Sequence, residues 1–186
     1  MGANTFQNAK NGRIFVGSGS VLKAKSLTTG SMASSVIEAE NGDIEFSNIL
    51  YPMNYATIIV SGTNSHVYAS TINVLRSDGE PTFRFKVPPE GLVGARPLVH
   101  TGYFQPNTLT SPQAFLVDVA EPADSVTETK TYVVFKLDGG TWQARDVYNH
   151  TTLIGYDRAS LSCDDASGEL RLTVKPKKKG LRIIFR

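Results

Sequence analysis

Short runs in which apolar and polar residues alternate recur along the whole chain, and no segment keeps apolar residues at three-and-four spacing over three turns. Alternation buries one face of a strand and wets the other, whereas an amphipathic helix needs the longer period, so the pattern predicts strands almost throughout. The clearest alternations set Phe83, Phe85 and Val87 against Arg84 and Lys86, and Leu170, Leu172 and Val174 against Glu169, Arg171 and Thr173. A third sets Leu181, Ile183 and Phe185 against Arg182, Ile184 and Arg186. Runs rich in β-branched and aromatic residues predict further strands over 13–16, 21–25, 35–40, 43–47, 56–61, 66–75, 114–119, 131–137, 141–147, 151–156 and 160–163.

Turn chemistry predicts how neighbouring strands meet. Asn41-Gly42, Asp78-Gly79, Gly139-Gly140 and Ser167-Gly168 stand between such runs, and Gly or Asn there supplies the positive φ of a tight hairpin, so antiparallel pairs are expected at all four. Pro88-Pro89, Pro97, Pro106 and Pro112 punctuate 88–113, which reads as a long, mostly irregular connection between two halves of about six strands each. No repeat with a period of about 20 to 50 residues is visible, which argues against propellers and solenoids. The expected fold is therefore all-β: residues 1–12 form an N-terminal arm, and 13–186 form a single antiparallel β-sandwich with little or no helix, a jelly roll being one form it could take.

Composition sets bounds on this picture. At 186 residues and 40% hydrophobic, the chain is long and apolar enough for one domain with its own core, and a formal charge of +2 excludes a bulk polycation. A single cysteine, Cys163, excludes an intramolecular disulfide framework and a multi-thiolate zinc site. No apolar run is long enough for a membrane helix and the first residues lack the pattern of a signal peptide, so a soluble protein made in a cytoplasm is expected.

The distribution of charge says more than its sum. Residues 46–75 and 97–117 contain no Asp, Glu, Lys or Arg, yet carry many Ser, Thr, Asn and Tyr residues. Such stretches fit central strands of a sheet, a face covered by a neighbouring subunit, or a surface that offers rings and hydroxyls to a glycan. Tyr51 and Tyr55 flank Pro52 to Asn54, and Tyr103-Phe104 precede Gln105-Pro106-Asn107. Rings beside amides give contact area together with hydrogen bonds, so Tyr51, Tyr55, Tyr103 and Phe104 are the candidate binding residues. The end of the chain is basic, and Lys177, Lys178 and Lys179 are the candidate contacts for an acidic partner; without aromatics beside them to stack bases, nucleic acid is not expected.

Catalytic patterns are missing. Ser18 in Gly17-Ser18-Gly19 lacks the flanking glycines at two-residue spacing of a nucleophile elbow, and Cys163 reads as a small core residue facing the same way as Leu161. His66, His100 and His150 show no metal-ligand spacing, Asp164-Asp165 lacks the alternating ligands of a calcium loop, and Asn149-His150-Thr151 reads as an accidental sequon. Asp118, Glu121, Asp124 and Glu128 cluster in one segment, and only geometry distinguishes a glycosidase pair from a solvated rim. Trp142, after the Gly-Gly turn, is assigned to the core. No enzyme activity, cofactor or metal is expected.

A chain that begins on a small-polar stretch (Gly2-Ala3-Asn4-Thr5, then Asn8-Ala9-Lys10-Asn11-Gly12), is rich in Ser, Thr, Gly and Asn, and stops on Leu181-Arg182-Ile183-Ile184-Phe185-Arg186 resembles the accessory virion proteins of tailed bacteriophages. Capsid decoration or cement proteins and short fibre-tip proteins share that style. The resemblance covers overall character, carries over no individual residue, and implies a homo-oligomer, with a trimer favoured, on the outside of a virus particle. The expectation is thus a non-enzymatic virion protein that binds the major capsid protein and stabilises the shell from outside. A receptor-binding or tail-fibre-tip protein recognising a cell-surface glycan is the alternative, and a β-sandwich glycan hydrolase or lyase the second.

Overall fold

The structure, a computed structural model, describes residues 5–8, 12–29, 34–53, 55–74, 79–94, 96–107 and 109–178, with the backbone alone for 5–8. Its strands are β1 (Thr5–Asn8), β2 (Arg13–Val16), β3 (Val21–Thr29), β4 (Val36–Glu40), β5 (Asp43–Tyr51), β6 (Thr57–Ser61) and β7 (His66–Val74). They continue with β8 (Thr82–Val87), β9 (Val99–Pro106), β10 (Phe115–Val119), β11 (Lys130–Leu137), β12 (Thr151–Gly155), β13 (Ala159–Asp164) and β14 (Glu169–Val174), and the one helix is α1 (Ala144–Asn149).

The chain is mostly strand, but the antiparallel sandwich and its jelly-roll variant are overturned by the pairing. Sheet A runs β1-β3-β5-β7-β9-β11-β14-β13 and sheet B runs β12-β10-β8-β6-β4-β2, so up to β12 successive strands alternate between two facing sheets. Every pair in sheet B is parallel, and sheet A is parallel from β1 to β11, with antiparallel pairing only where β14 meets β11 and β13. The chain therefore winds as a flattened parallel β-solenoid, each coil giving one strand to each sheet. The expectation failed for a physical reason. A parallel sheet is usually buried on both faces and reads as a continuous apolar run, whereas here each sheet keeps one face in water, which produces the alternation normally left by antiparallel strands.

In-register pairing stacks like side chains along the solenoid axis. Ile37, Ile58, Phe83 and Phe115 form one interior ladder of sheet B, and Leu27, Leu50, Ile72 and Phe104 one of sheet A; all eight are fully buried. The Phe83 and Phe115 rings stack at 5.1 Å between centroids, and Phe104 and Phe135 meet both edge-on, so aromatics fill the later coils. The repeat escaped detection because the coil grows: register partners move from Arg13–Val36 and Val36–Thr57 to Phe83–Phe115 and Phe115–Thr151, so no fixed period exists.

Of the four expected hairpins, only Ser167-Gly168 is one, joining β13 to β14. There the Ser167 and Ala166 N–H groups and the Arg171 guanidinium bond the Asp164 carboxylate, and the Ser167 bond foremost holds its pKa below the usual value. Asn41-Gly42 is instead a corner between sheets. Asn41, at φ 53°, accepts bonds at Oδ1 from the Thr63 N–H (2.7 Å) and the Asn64 N–H (3.3 Å) of the next coil. A Cβ on Gly42 would lie 2.5 Å from the Gly17 carbonyl oxygen of the previous coil, so the tight approach of stacked corners, rather than a hairpin, selects this dipeptide. Gly79 likewise stands at a corner, between β7 and β8 on different sheets; Asp78 lies outside the described residues.

Gly139-Gly140 leads into α1, so the strand expected over 141–147 is corrected to a turn and a helix. Gln143 and Asp146 close a reciprocal capping box there, a local signal that outweighs the short apolar alternation, while Ala144 and Val147 bury the helix against the core. The irregular connection expected over 88–113 contains β9, and Thr5–Asn8 of the expected arm joins sheet A as β1. Trp142 packs against the core beside Phe104 and His150, and Cys163 is only half-buried. The strand expected over 181–186 lies outside the described residues.

Candidate binding face

The two uncharged segments supply β6, β7 and β9 together with much of β5 and the start of β10, strands with a neighbour on each side. Their inward residues make the core, and their outward residues on sheet A make a neutral face. Because Leu27, Leu50, Ile72 and Phe104 point inward, the residues on either side of each point outward. One outward row is Ser26, which is buried beneath Asn48, then Ile49, Thr71 and Tyr103, paired in that order across β3, β5, β7 and β9. The second pairs Thr28 with Tyr51 and Asn73 with Gln105. Neither row holds a charged side chain; Lys25 on β3 is the nearest cation along that strand.

Three carboxamides at the end of this face bond one another in a ring. The Asn73 Nδ2 donates to Gln105 Oε1 (3.5 Å), the Gln105 Nε2 to Asn107 Oδ1 (3.2 Å), and the Asn107 Nδ2 to Asn73 Oδ1 (3.1 Å). An amide has two N–H donors and two acceptor lone pairs, so the ring uses one of each and leaves one of each on all three residues for a ligand. Tyr51 borders the ring from β5 and Tyr103, 43% exposed, stands two residues before Gln105 on β9. Fully buried Thr29 holds the Tyr51 corner: its Oγ1 accepts from the Met53 N–H (2.7 Å) and donates to the Met53 carbonyl (3.2 Å).

The sequence-derived candidates separate on this geometry. Tyr51 and Tyr103 share the neutral face, on strands separated by β7. Phe104 does not: it is fully buried, because consecutive strand residues point to opposite faces and Tyr103 takes the outer one. Tyr55 lies at the β5–β6 corner, exposed and at φ 55°, with its ring so close over Gly79 that a Cβ there would meet it at 2.3 Å. Gln105 and Asn107 follow the tyrosine already singled out, but Asn73 was missed, since only pairing of β7 with β9 brings it to Asn107. An amide at an outward position near the end of an uncharged strand is the one signal that could have marked it.

The basic candidates are partly spent within the chain. Lys177 bonds Asp124 (3.1 Å) and pairs with Glu121 (3.4 Å), and the Asp124 bond foremost raises its pKa. It fastens the loop between β10 and β11 from within the chain. Lys178 is exposed, and Lys179 lies outside the described residues. The acidic cluster is likewise divided, Asp118 pairing with Arg84 (2.8 Å) while Glu121 and Asp124 hold Lys177.

An open groove of about 500 Å³ runs along the opposite rim between Glu38, Glu40, Lys86, Glu90 and Asp118. Glu38 is tied to Arg13 and Asp118 to Arg84, so two of its carboxylates are neutralised where they stand. The histidines are dispersed: His66 Nδ1 meets the Pro97 carbonyl (2.7 Å), His100 Nε2 meets Asp138 (2.8 Å), and His150 Nδ1 meets the Asp146 carbonyl (2.8 Å). Among the described residues no group of three or more His, Cys, Asp or Glu side chains is placed to hold a metal ion.

Comparison of the chain with protein-family models, with curated proteins and with solved structures finds no match.

Proposed function

We propose that the protein is a non-enzymatic structural protein of a virus particle that attaches to a cell-surface glycan through the outer face of sheet A. The observation that carries the attachment reading is the amide ring of Asn73, Gln105 and Asn107 beside Tyr51 and Tyr103. The ring is preorganised by its own hydrogen bonds, so little side-chain entropy is lost on binding, and it faces solvent instead of completing the core. The virion reading rests on the resemblance in overall character, which also carries a homo-oligomer, tested by molar mass in solution.

Binding of the purified protein to a glycan panel and to intact cells tests the reading. Asn73→Ala and Tyr103→Ala should each weaken binding about tenfold, as the loss of about 1.4 kcal/mol from one ligand hydrogen bond or ring contact implies. Lys86→Ala, on the opposite sheet, should leave it unchanged. Equal binding by all three variants would remove the face from the function.

A decoration protein clamped to the outside of a capsid shell is the second reading, favoured by the neutrality of the same face. Two rows of outward residues, paired from strand to strand beside register shifts in β3 and β5, present an uncharged surface of the kind that a protein partner covers. Under that reading the protein co-sediments with assembled shells and raises their resistance to heat, and the face variants abolish both effects.

A further inference from the structure

We infer that the ligand of the sheet A face is an uncharged, linear chain of pyranose sugars that lies across β3, β5, β7 and β9, along the solenoid axis, rather than along any one strand. The inference rests on the glycan reading above and adds the ligand's charge, shape and direction.

Charge comes first. Ser26, Thr28, Ile49, Tyr51, Thr71, Asn73, Tyr103 and Gln105 fill both rows without an ionised group. Most charges of the same sheet face lie toward the other end of the strands, where Lys23 pairs with Glu45 and His100 with Asp138, and the exposed Lys25 stands on β3 one residue before Ser26, three strands from Gln105. An acidic sugar chain needs cations in direct contact to replace its hydration, and the two rows supply none.

The amide ring points to hydroxyl groups. A sugar hydroxyl donates one bond and accepts others, so its best partner offers both a donor and an acceptor from a fixed position. Each of Asn73, Gln105 and Asn107 retains one free N–H and one free lone pair after the ring is closed. A phosphate or carboxylate ligand would use the donors and leave the lone pairs opposed to its own charge.

Direction follows from spacing. Parallel strands lie about 4.8 Å apart, close to the length of one residue in an extended pyranose chain, whereas successive outward positions along one strand are about 6.6 Å apart. Across the strands, the second row therefore meets successive sugars with Thr28, Tyr51, Asn73 and Gln105 in turn. Along β9 the surface changes within three residues from Gln105 and Tyr103 to His100, which Asp138 holds. The four strands span about 14 Å, room for about three sugars.

The test is isothermal titration of the full chain with neutral linear oligosaccharides of one to six residues, built from glucose, galactose, mannose or N-acetylglucosamine, and with oligogalacturonates of matching length, at low and high salt. One neutral series should gain affinity up to about three residues and then level off, with little response to salt. Thr28→Val, three strands from Gln105, should lower the affinity of the trisaccharide several-fold and leave that of the monosaccharide unchanged, whereas Asn73→Ala should weaken both. Binding of the oligogalacturonates alone, or a Thr28→Val variant that binds every length as the parent does, would overturn the inference while the glycan reading stood. If no sugar binds and the face variants instead lose co-sedimentation with shells, the glycan reading falls with it. Circular dichroism and urea unfolding of each variant separate lost contacts from lost folding.

Discussion

Asn41 offers a direct test of the coil architecture, because its side chain does a different job in a solenoid corner than in a hairpin. Its Oδ1 receives the part-buried Thr63 N–H at 2.7 Å, while the Asn64 N–H at 3.3 Å is exposed and can turn to water. Replacing Asn41 by Gly keeps the φ of 53° accessible and removes only the carboxamide, so one part-buried backbone donor loses its acceptor, at a cost of about 1–2 kcal/mol. Replacing it by Ala removes the same acceptor and also forces a Cβ into the left-handed region, which adds about 1 kcal/mol. In a hairpin of the kind the dipeptide suggests, Gly serves as well as Asn, and Asn41→Gly would be close to neutral.

Equilibrium unfolding in urea, followed by circular dichroism, reads the difference. With a slope of about 2 kcal/mol per molar, Asn41→Gly should lower the midpoint by about 0.5–1 M and Asn41→Ala by about 0.5 M more. A glycine variant as stable as the parent would show that the clamp onto the next coil contributes nothing. Equal midpoints for the two variants would show that the backbone at Asn41 is not held in the left-handed region.

Three further outcomes are expected. Phe115→Ala should cost about 3–5 kcal/mol, since it empties a fully buried position stacked on Phe83 and edge-on to Phe104 and Phe135; a thermal midpoint within a degree or two of the parent would contradict the aromatic ladder. His66 has its pKa lowered from 6.5, chiefly by burial and against the raising effect of the Pro97 carbonyl bond. The unfolded chain thus binds the proton more readily, and stability should be full above pH about 6.5 and fall as the pH drops from there to the lowered folded value; His66→Asn should flatten that slope in unfolding measured from pH about 5 to 7.5, and an unchanged slope would assign it elsewhere. Lys177→Ala should release the segment between β10 and β11 from its tie through Glu121 and Asp124, so a glutamate-specific protease should cut at Glu121 or Glu128 faster than in the parent.

The candidate face was partly legible in the chain and partly not, and the division follows sequence distance. Tyr103 and Gln105 lie two positions apart on one strand, so their common face is a local property, and the same rule places Phe104 on the other side. Pairing them with Asn73 and Tyr51 depends on which strands become neighbours. The Asn73–Asn107 bond closes a loop of |i−j| = 34 that no local pattern encodes.

By itself the sequence determined that the chain is built of strands with one wet face, that it turns at Asn41-Gly42, and that β13 and β14 pair through Ser167-Gly168. These are consequences of side-chain alternation and of backbone angles at single residues, which act over a few positions. Which sheet each strand joins, and whether its partners run parallel, only the tertiary structure decided. A strand with one face buried alternates identically in an antiparallel sandwich and in a solenoid with wet outer faces. What separates the two is non-local: the stacking of Ile37, Ile58, Phe83 and Phe115 across successive coils, and the clamp from Asn41 onto Thr63 one coil away.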